Sequence, residues 1–575
     1  MPASLNKSSK KVSIIKNYLY NLSYQLLLLV VPLITMPYLS RVLGLANQGT
    51  FSVLYSVVSC FVMLGCIGLN IYGQREIAYY KNSEQDCNRI FWEISIIRFV
   101  MLFASLVLYF LFIWFNFNVI GIINVYNPVY FVLFATELVA SMFDISWYFQ
   151  GVENFRIQTI RNFVVKLIGL AMIFVFVRTE NDLWLYIVIY TGMNLIGNAS
   201  LWIYKLKGCR FVKPDIRRMR HHLGRSFIMF LPQIATTVYA QLDRLMLGVL
   251  MNDGNVQAGV YDNAEKIVKM ALTVVTSIGL VMLSRVANTY IENNKQQAHK
   301  YITASFRMYL TLAVPIMFGV AGIAQTFVPR FFSDEPGFDQ IVPVMIMLSP
   351  IILFIGGSNV FGTQYLLPTN RMKAYTLSVF IGMGVNLVLN TILIKGFGAL
   401  GAAAATVVAE FCVLVVQMIA VRKEFSPKLY LKGWRNYISG AIMFVCVYMI
   451  GQIVGSTIYT VVAQLIVGVT VYFGLLLLLR DPFVLSGARM ALGQLRTSKQ
   501  SPADATDDNI CEELRLISFD ETEDVQTDQP DTDSAAIENL DQVSEFEQSG
   551  LTAEKVASED AAGELSSDKE TNDKN

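Results

Sequence analysis

The sequence predicts an all-α integral membrane protein. About fourteen transmembrane helices form two pseudo-symmetric six-helix lobes plus two C-terminal helices, followed by a disordered tail. Three observations carry this. Only 15% of the 575 residues are charged against 54% hydrophobic, where soluble domains carry about 25% charge. Uncharged, mostly apolar runs recur, as in 18–35 and 459–479, long enough to cross a bilayer. Loops rich in Lys and Arg alternate with loops that nearly lack them. A closed β-barrel, the other spanning solution, would show alternating ten-residue segments, and these runs do not alternate.

The spans read as roughly 14–38, 49–72, 92–115, 120–146, 158–178, 183–204, 226–250, 260–284, 302–328, 340–362, 372–394, 399–421, 437–456 and 459–479. They divide the chain into a basic cytoplasmic N-terminus at 1–13, an N-lobe at 14–210, a C-lobe at 211–421, helices 13 and 14 at 422–496 and an acidic tail at 497–575. No cleavable signal peptide is expected, because the first apolar segment is too long and no small-residue cleavage site follows it.

The net charge of +1 averages two opposite regions. Residues 501–575 hold 23 Asp and Glu against four basic residues. Subtracting these from the totals of 44 and 45 leaves 21 acidic and 41 basic residues in 1–500. The body therefore carries about +20 and the tail about −19. The tail, poor in aromatics, cannot bury enough apolar surface to offset its ordering entropy.

Loop charge sets orientation. Lys7, Lys10 and Lys11; Arg75, Lys81 and Arg89; Lys205 through Arg225; Lys295 and Lys300; Arg371 and Lys373; and Arg422 through Arg435 all fall on one side. The opposite loops hold Arg41, Arg178, Arg330 and Lys395. By the positive-inside rule both termini are cytoplasmic, which requires an even number of spans.

A weak internal repeat is present. Arg41-Val-Leu-Gly44 closes the first span and Gln48-Gly49-Thr50-Phe51 opens the second. Arg244-Leu-Met-Leu-Gly248 closes the seventh and Ala258-Gly259-Val260-Tyr261 opens the eighth. An offset of six spans gives two lobes of the same orientation, related by an axis along the membrane normal, with a solute path between them.

Ionisable residues inside spans are costly and face an interior or a wet cavity. Asp243 and Arg244 lie in the seventh span, Glu265, Lys266 and Lys269 in the eighth. Arg98 lies in the third, with Glu137 and Asp144 in the fourth placed to meet it. Two readings stand. Asp243, Glu265, Asp144 and Glu137 form ion pairs that lock helices, or surplus cations line a cavity that attracts an anionic head group. The candidate substrate-binding cations are Arg244, Lys266, Lys269, Arg98 and Arg41.

Seven scattered cysteines show no CxxC pair, so neither a disulfide framework nor a metal site is inferred. No cofactor is expected. Gly396-Phe-Gly-Ala-Leu-Gly401 matches G-x-G-x-x-G, but no strand precedes it, so a tight turn packing two helices is expected instead of a nucleotide site. His221 and His222 fall in a basic linker and are expected to be solvated or to contact anionic lipid head groups. No outward loop is long enough for an external catalytic domain.

Several stretches are similar to a known family. Tyr38-Leu-Ser-Arg-Val-Leu-Gly44 with Gly49 and Phe51 resembles the first hairpin of Wzx-type oligosaccharide flippases. Leu69-Asn-Ile-Tyr-Gly-Gln-Arg75-Glu-Ile-Ala78 resembles the end of their second helix. Tyr239 to Gly248, Gly259-Val-Tyr261 and Ala264 to Val268 resemble their seventh and eighth helices. Asn386 to Asn390 and Gly398-Ala-Leu-Gly401 resemble their eleventh and twelfth. The superfamily also holds MATE exporters and lipid II flippases. The resemblance covers about 14–480 in order.

It implies a transporter, not an enzyme, working by alternating access around a central cavity in the bacterial cytoplasmic membrane. The implied substrate is undecaprenyl-diphosphate-linked oligosaccharide, flipped from the inner to the outer leaflet for capsule or exopolysaccharide assembly. Membrane lipids, a coupling ion and polysaccharide polymerase machinery are the expected partners; nucleic acid is not. A MATE-like cation or drug antiporter would favour acidic cavity residues. A membrane polymerase or ligase would need a large outer loop. A scaffold would work through the tail, which is outside the family pattern.

Overall fold

The computed structural model describes residues 3–486 except 122, 124, 207–211, 292–293, 333–336 and 427. The expected acidic tail at 497–575 and the lobe boundary expected at 210–211 lie outside the described residues. Among the described residues the chain is helical and contains no strand. In chain order the helices are α1 (Ala3–Cys66), α2 (Leu69–Tyr80), α3 (Glu84–Phe115), α4 (Pro128–Met142), α5 (Ser146–Gly151), α6 (Phe155–Phe176), α7 (Leu183–Leu206) and α8 (Ile216–Leu250). They continue with α9 (Gly254–Ile291), α10 (Lys295–Phe331), α11 (Ile341–Leu348), α12 (Ile351–Ser358), α13 (Met372–Ala420), α14 (Lys428–Lys432), α15 (Trp434–Val454) and α16 (Ile458–Leu478).

Eight helices among the described residues are long and apolar enough to cross a membrane. The bent pair Phe338–Leu348 and Ile351–Leu366, angled by 43°, passes the same test when taken together and makes nine if counted as one span. Two of the eight are too long to be single spans. α1 has 64 residues and α13 has 49, whereas about 20 residues cross the hydrocarbon core. Each is broken at one glycine: Gly44 at φ 70°, ψ 173° and Gly398 at φ 54°, ψ −131°. Only glycine enters such backbone regions without strain. A Cβ on Gly401 would lie 2.3 Å from the Leu393 carbonyl oxygen, so the chain folds back on itself there. The expected glycine turn at 396–401 is thus where α13 divides. Counting the arms of α1 and α13 separately, and adding α7, α8 and α9, which have the length but carry more polar residues, gives the fourteen expected spans.

Local signals set the ends. Ser83 accepts from Asp86 N–H ahead of α3, and Asn127 accepts from Val129 N–H with Pro128 at the first position of α4. Asp215 accepts from Arg217 N–H ahead of α8. Such side chains satisfy amide donors that have no partner in the first turn.

Packing places a cavity between two groups of helices. α1 lies against α3, α4 and α6 on one side and against α8 and α9 on the other. α13 packs on α8, α10 lies beside α9, and α15 and α16 cover α10. The closest approach between the groups is made by glycines that the repeat equates. A Cβ on Gly49 would fall 1.6 Å from Asn255 O and 2.6 Å from Gly259 N; one on Gly259 would fall 2.4 Å from Leu45 O. Two backbones can meet this closely only where side chains are absent.

At the opposite end of α8 the structure corrects an expectation. His221 is exposed, but His222 is buried. Its Nδ1 lies 2.7 Å from the Tyr72 hydroxyl on α2 and its Nε2 lies 3.1 Å from Glu93 Oε2 on α3. A carboxylate buried at this depth needs partners, and the imidazole supplies one. His222 therefore ties α8 to α2 and α3 instead of meeting lipid head groups.

The glycine contact makes a test. Gly49→Ala should lower the melting temperature of the purified protein, because a methyl group has no room against Asn255. Gly384→Ala, where nothing lies within 4 Å, should leave it unchanged or raise it, since alanine is the better helix former. Equal melting temperatures for Gly49→Ala and wild type would contradict the close packing.

Candidate substrate-binding cavity

A cavity of about 540 Å³ lies between both arms of α1, α6, α7, α8 and α9. Its charged lining is Arg244 from α8, Asp262, Lys266 and Lys269 from α9, and Lys166 from α6. On α9 the positions 262, 265, 266 and 269 follow i, i+3, i+4, i+7 and so share one helical face. That stripe faces Arg244 across the α8–α9 packing.

The pairing is dense. Arg244 Nε lies 2.8 Å from Asp262 Oδ1, and its Nη2 pairs with Glu265. Lys266 Nζ lies 2.5 Å from Asp262 Oδ2 and Lys269 Nζ lies 2.6 Å from Glu265 Oε1. Arg244 Nη1 also donates to Gln241 Oε1 at 3.1 Å. Exposure separates the members. The side chains of Asp262 and Glu265 are 6% and 4% exposed and Arg244 is 12% exposed, but Lys266 and Lys269 are 44% and 43% exposed. The carboxylates lie beneath and the ammonium groups above. Two acids hold three cations, so the network carries one excess positive charge, presented on its lysine side.

The sequence grouped Asp243 with Arg244. The structure turns it elsewhere, because neighbours on a helix point about 100° apart. Asp243 faces α13. Its Oδ1 accepts from Asn386 Nδ2 at 3.1 Å and Asn390 Nδ2 at 2.6 Å; its Oδ2 accepts from the Tyr261 hydroxyl at 2.5 Å and the Thr406 hydroxyl at 2.8 Å. Those four donors are neutral, so Asp243 is no supporting partner of the cation cluster.

Arg98 joins Asp144 as expected. Its Nη2 lies 3.4 Å from Asp144 Oδ2 and its Nε donates to the Ser141 carbonyl at 3.0 Å. Buried at the α3–α4 contact, it does not line the cavity. Glu137, expected beside Arg98, instead accepts from Asn194 Nδ2 at 3.1 and 3.3 Å across the α4–α7 packing. Glu137 and Asp144 are seven residues apart, and the α4 helix ends at Met142, so they do not share one partner. Arg41 donates to the Arg330 carbonyl at 3.3 Å and is exposed, away from the cavity. Of the five candidate cations, the structure thus brings Arg244, Lys266 and Lys269 together and leaves Arg98 and Arg41 apart.

Lys166 and Asp262 were not among the predicted site residues. Lys166 lies well inside the fifth span, and the rule applied to the other intramembrane charges would have found it. Asp262 precedes Lys266 by four residues, the acid-to-base spacing that supports a helical pair.

Comparison with known proteins shows what the chain is similar to. Residues 14–283 match the family model described as polysaccharide biosynthesis protein. The resemblance to oligosaccharide flippases read from the sequence is borne out. A relative in Escherichia coli (strain K12), named "Putative O-antigen transporter", is 24% identical over 430 residues, covering 72% of this chain and 99% of its own. A relative of the same name in Shigella dysenteriae is 22% identical and covers 68% of this chain and 96% of its own. The solved structure of lipid II flippase MurJ in an inward closed conformation superposes with a TM-score of 0.59 at 16% identity, over 78% of this chain and 99% of that one. That likeness establishes the fold: a multi-pass helical membrane architecture. The relatives are transporters by name, which bears out the expectation of a transporter and not an enzyme.

The exposure pattern predicts unequal roles within the charge network. Arg244→Ala strips each buried carboxylate of one partner and should cost about 3–5 kcal/mol, the range for breaking a buried pair. Lys266→Ala removes a half-exposed partner and should cost only about 0–1 kcal/mol. Thermal unfolding of the purified variants measures the contrast, and equal losses would contradict the layered arrangement.

Proposed function

We propose that this protein is a flippase for lipid-linked oligosaccharide. It moves undecaprenyl-diphosphate-linked repeat units from the inner to the outer leaflet of the bacterial cytoplasmic membrane, for capsule, exopolysaccharide or a related surface polysaccharide. The observation that carries the reading is the layered network on α8 and α9, in which buried acids hold ammonium groups at the cavity wall. A diphosphate has to cross a region where an unpaired charge is costly. Fixed cations offset its desolvation with charge-assisted hydrogen bonds. The acids beneath them temper the attraction, so the head group can leave again. They also keep the empty site from holding unpaired charge.

The relatives' names and the shared fold support this reading, and so does the positive balance of the cavity wall, which suits an anion better than a cationic drug. Transport then proceeds by alternating access, with the N-lobe (14–210) and C-lobe (211–421) rocking about the cavity. The polar head passes through the interior and the lipid chain stays in the bilayer. A coupling ion or proton, where one is used, has a suitable place at Asp243, whose neighbour Asn390 Oδ1 is buried without a donor among the described residues.

Arg244 is structural as well as polar, so the functional test falls on the lysines. Lys266→Gln combined with Lys269→Gln should remove surface polysaccharide and accumulate the lipid-linked intermediate, with membrane insertion and melting temperature close to wild type. Wild-type levels of surface polysaccharide from that variant would overturn the reading.

Orientation is tested separately. A cysteine placed at Asn252 should react with a membrane-impermeant maleimide added outside. Cysteines at Lys213 or Lys295 should react only after the membrane is opened. External labelling at Lys295 would reverse the proposed cytoplasmic placement of both termini.

A further inference from the structure

The cavity has a second wall of different chemistry. Phe51 and Tyr55 from the second arm of α1, and Tyr186 and Tyr190 from α7, all line it. Each pair is spaced i, i+4, which sets both rings on one face of its helix. Phe51 packs against Tyr186 with ring centroids 4.7 Å apart and against Tyr190 at 5.2 Å; Tyr55 meets Tyr190 edge-on at 5.7 Å. The rings thus brace one another in fixed orientations. Phe51 is buried, but the three tyrosines are half-buried at the cavity surface.

Polar groups are interleaved with them. Lys166 Nζ sits 5.8 Å from the Tyr190 ring centroid. Asn194 and Gln48 line the same wall. Gln48 Nε2 is buried and has no hydrogen-bond partner among the described residues. An idle amide donor at a cavity wall is costly unless a ligand uses it.

We propose that this wall is a pyranose subsite: Tyr55, Tyr186 and Tyr190 stack the first sugar of the substrate while Lys266 and Lys269 hold its diphosphate. The inference rests on the flippase reading and extends it to the glycan. A pyranose presents one face of C–H bonds with slight positive charge and a rim of hydroxyls. The first suits the negative face of an aromatic ring; the second needs amide and ammonium partners such as Gln48, Asn194 and Lys166. A polyprenyl chain would find no use for those polar groups. The volume agrees. About 540 Å³ falls in the range of single small-ligand sites, about 300–1,000 Å³, enough for a diphosphate and its adjoining sugar but not for a long glycan or its lipid. The subsite divides recognition between the helix groups, with the phosphates on α8 and α9 and the sugar on α1 and α7.

The experiment compares two probes on the purified full-length protein: undecaprenyl diphosphate, and undecaprenyl diphosphate carrying one N-acetylglucosamine. Wild type should bind both, the sugar-bearing lipid more tightly. Tyr186→Leu with Tyr190→Leu should weaken the sugar-bearing lipid about tenfold, a loss in keeping with one or two aromatic contacts, and leave the sugar-free lipid unchanged. The matching phenylalanine variants should retain most of the affinity. Gln48→Leu, which removes an amide N–H that has no partner among the described residues, should show the same selective loss and serves if the leucine pair does not fold. Equal weakening toward both lipids would overturn the subsite and assign the rings to the lipid chain or the fold. No weakening toward either would also overturn it. Failure of wild type to bind either lipid would overturn the flippase reading and this inference together. By contrast, Lys266→Gln with Lys269→Gln should weaken both probes, which separates the two walls.

Discussion

Two carboxylates buried in the middle of a membrane protein have to be neutralised where they stand, and Asp262 and Glu265 set that requirement here. Burying an ion alone costs far more than a fold can supply. Arg244 bridges both acids, and Lys266 and Lys269 each take the remaining oxygen of one. The register of α8 against α9 follows, because only one alignment places a guanidinium between two carboxylates a helical turn apart. The lysines reach the cavity because their long stems carry the ammonium groups out of the buried layer. A structural necessity thus ends with positive charge on a solvent-facing wall.

That wall is useful only if the opposing helices come close without filling the space. The paired glycines Gly49 and Gly259 provide the approach, bringing the second arm of α1 against the start of α9 with backbone in contact with backbone. Beyond the contact, the same arm presents Phe51 and Tyr55 to the cavity. Far along α8, Tyr72, His222 and Glu93 join its first turns to α2 and α3. α8 is therefore held near one end by a buried polar chain and near the other by its charge network with α9. The rocking motion proposed above would preserve the second and rearrange contacts near the first.

Asp243 and Arg244 show how neighbouring residues divide between functions. They differ by about 100° around the helix. One belongs to the cavity wall and the other to a cluster of neutral donors from α9 and α13. The Asp243 carboxylate organises the interior of the C-terminal group of helices, and the Arg244 guanidinium ties α8 to α9 at the cavity wall.

The sequence by itself determined the membrane class, the number of spans, the repeat and the glycine turn of α13. Each of these follows from composition and from one-dimensional periodicity, since bilayer thickness prescribes the length of an apolar run. It also named Arg244, Lys266 and Lys269, because charge within an apolar run is conspicuous wherever it packs. The i, i+4 spacing of Asp262 and Lys266 was legible as well, being a property of one helix. Partner choice between helices was not. Whether Arg98 meets Asp144 or Glu137, whether His222 is wet or buried, and whether Asp243 faces Arg244 or Asn390 all depend on helix rotation and crossing, which contacts distant in sequence decide. The aromatic wall was equally hidden, because Phe51, Tyr55, Tyr186 and Tyr190 look like ordinary apolar-span residues until two helices bring them to one surface. Tertiary packing alone made them a wall, since a cavity is a property of the space between helices and no single helix encodes it.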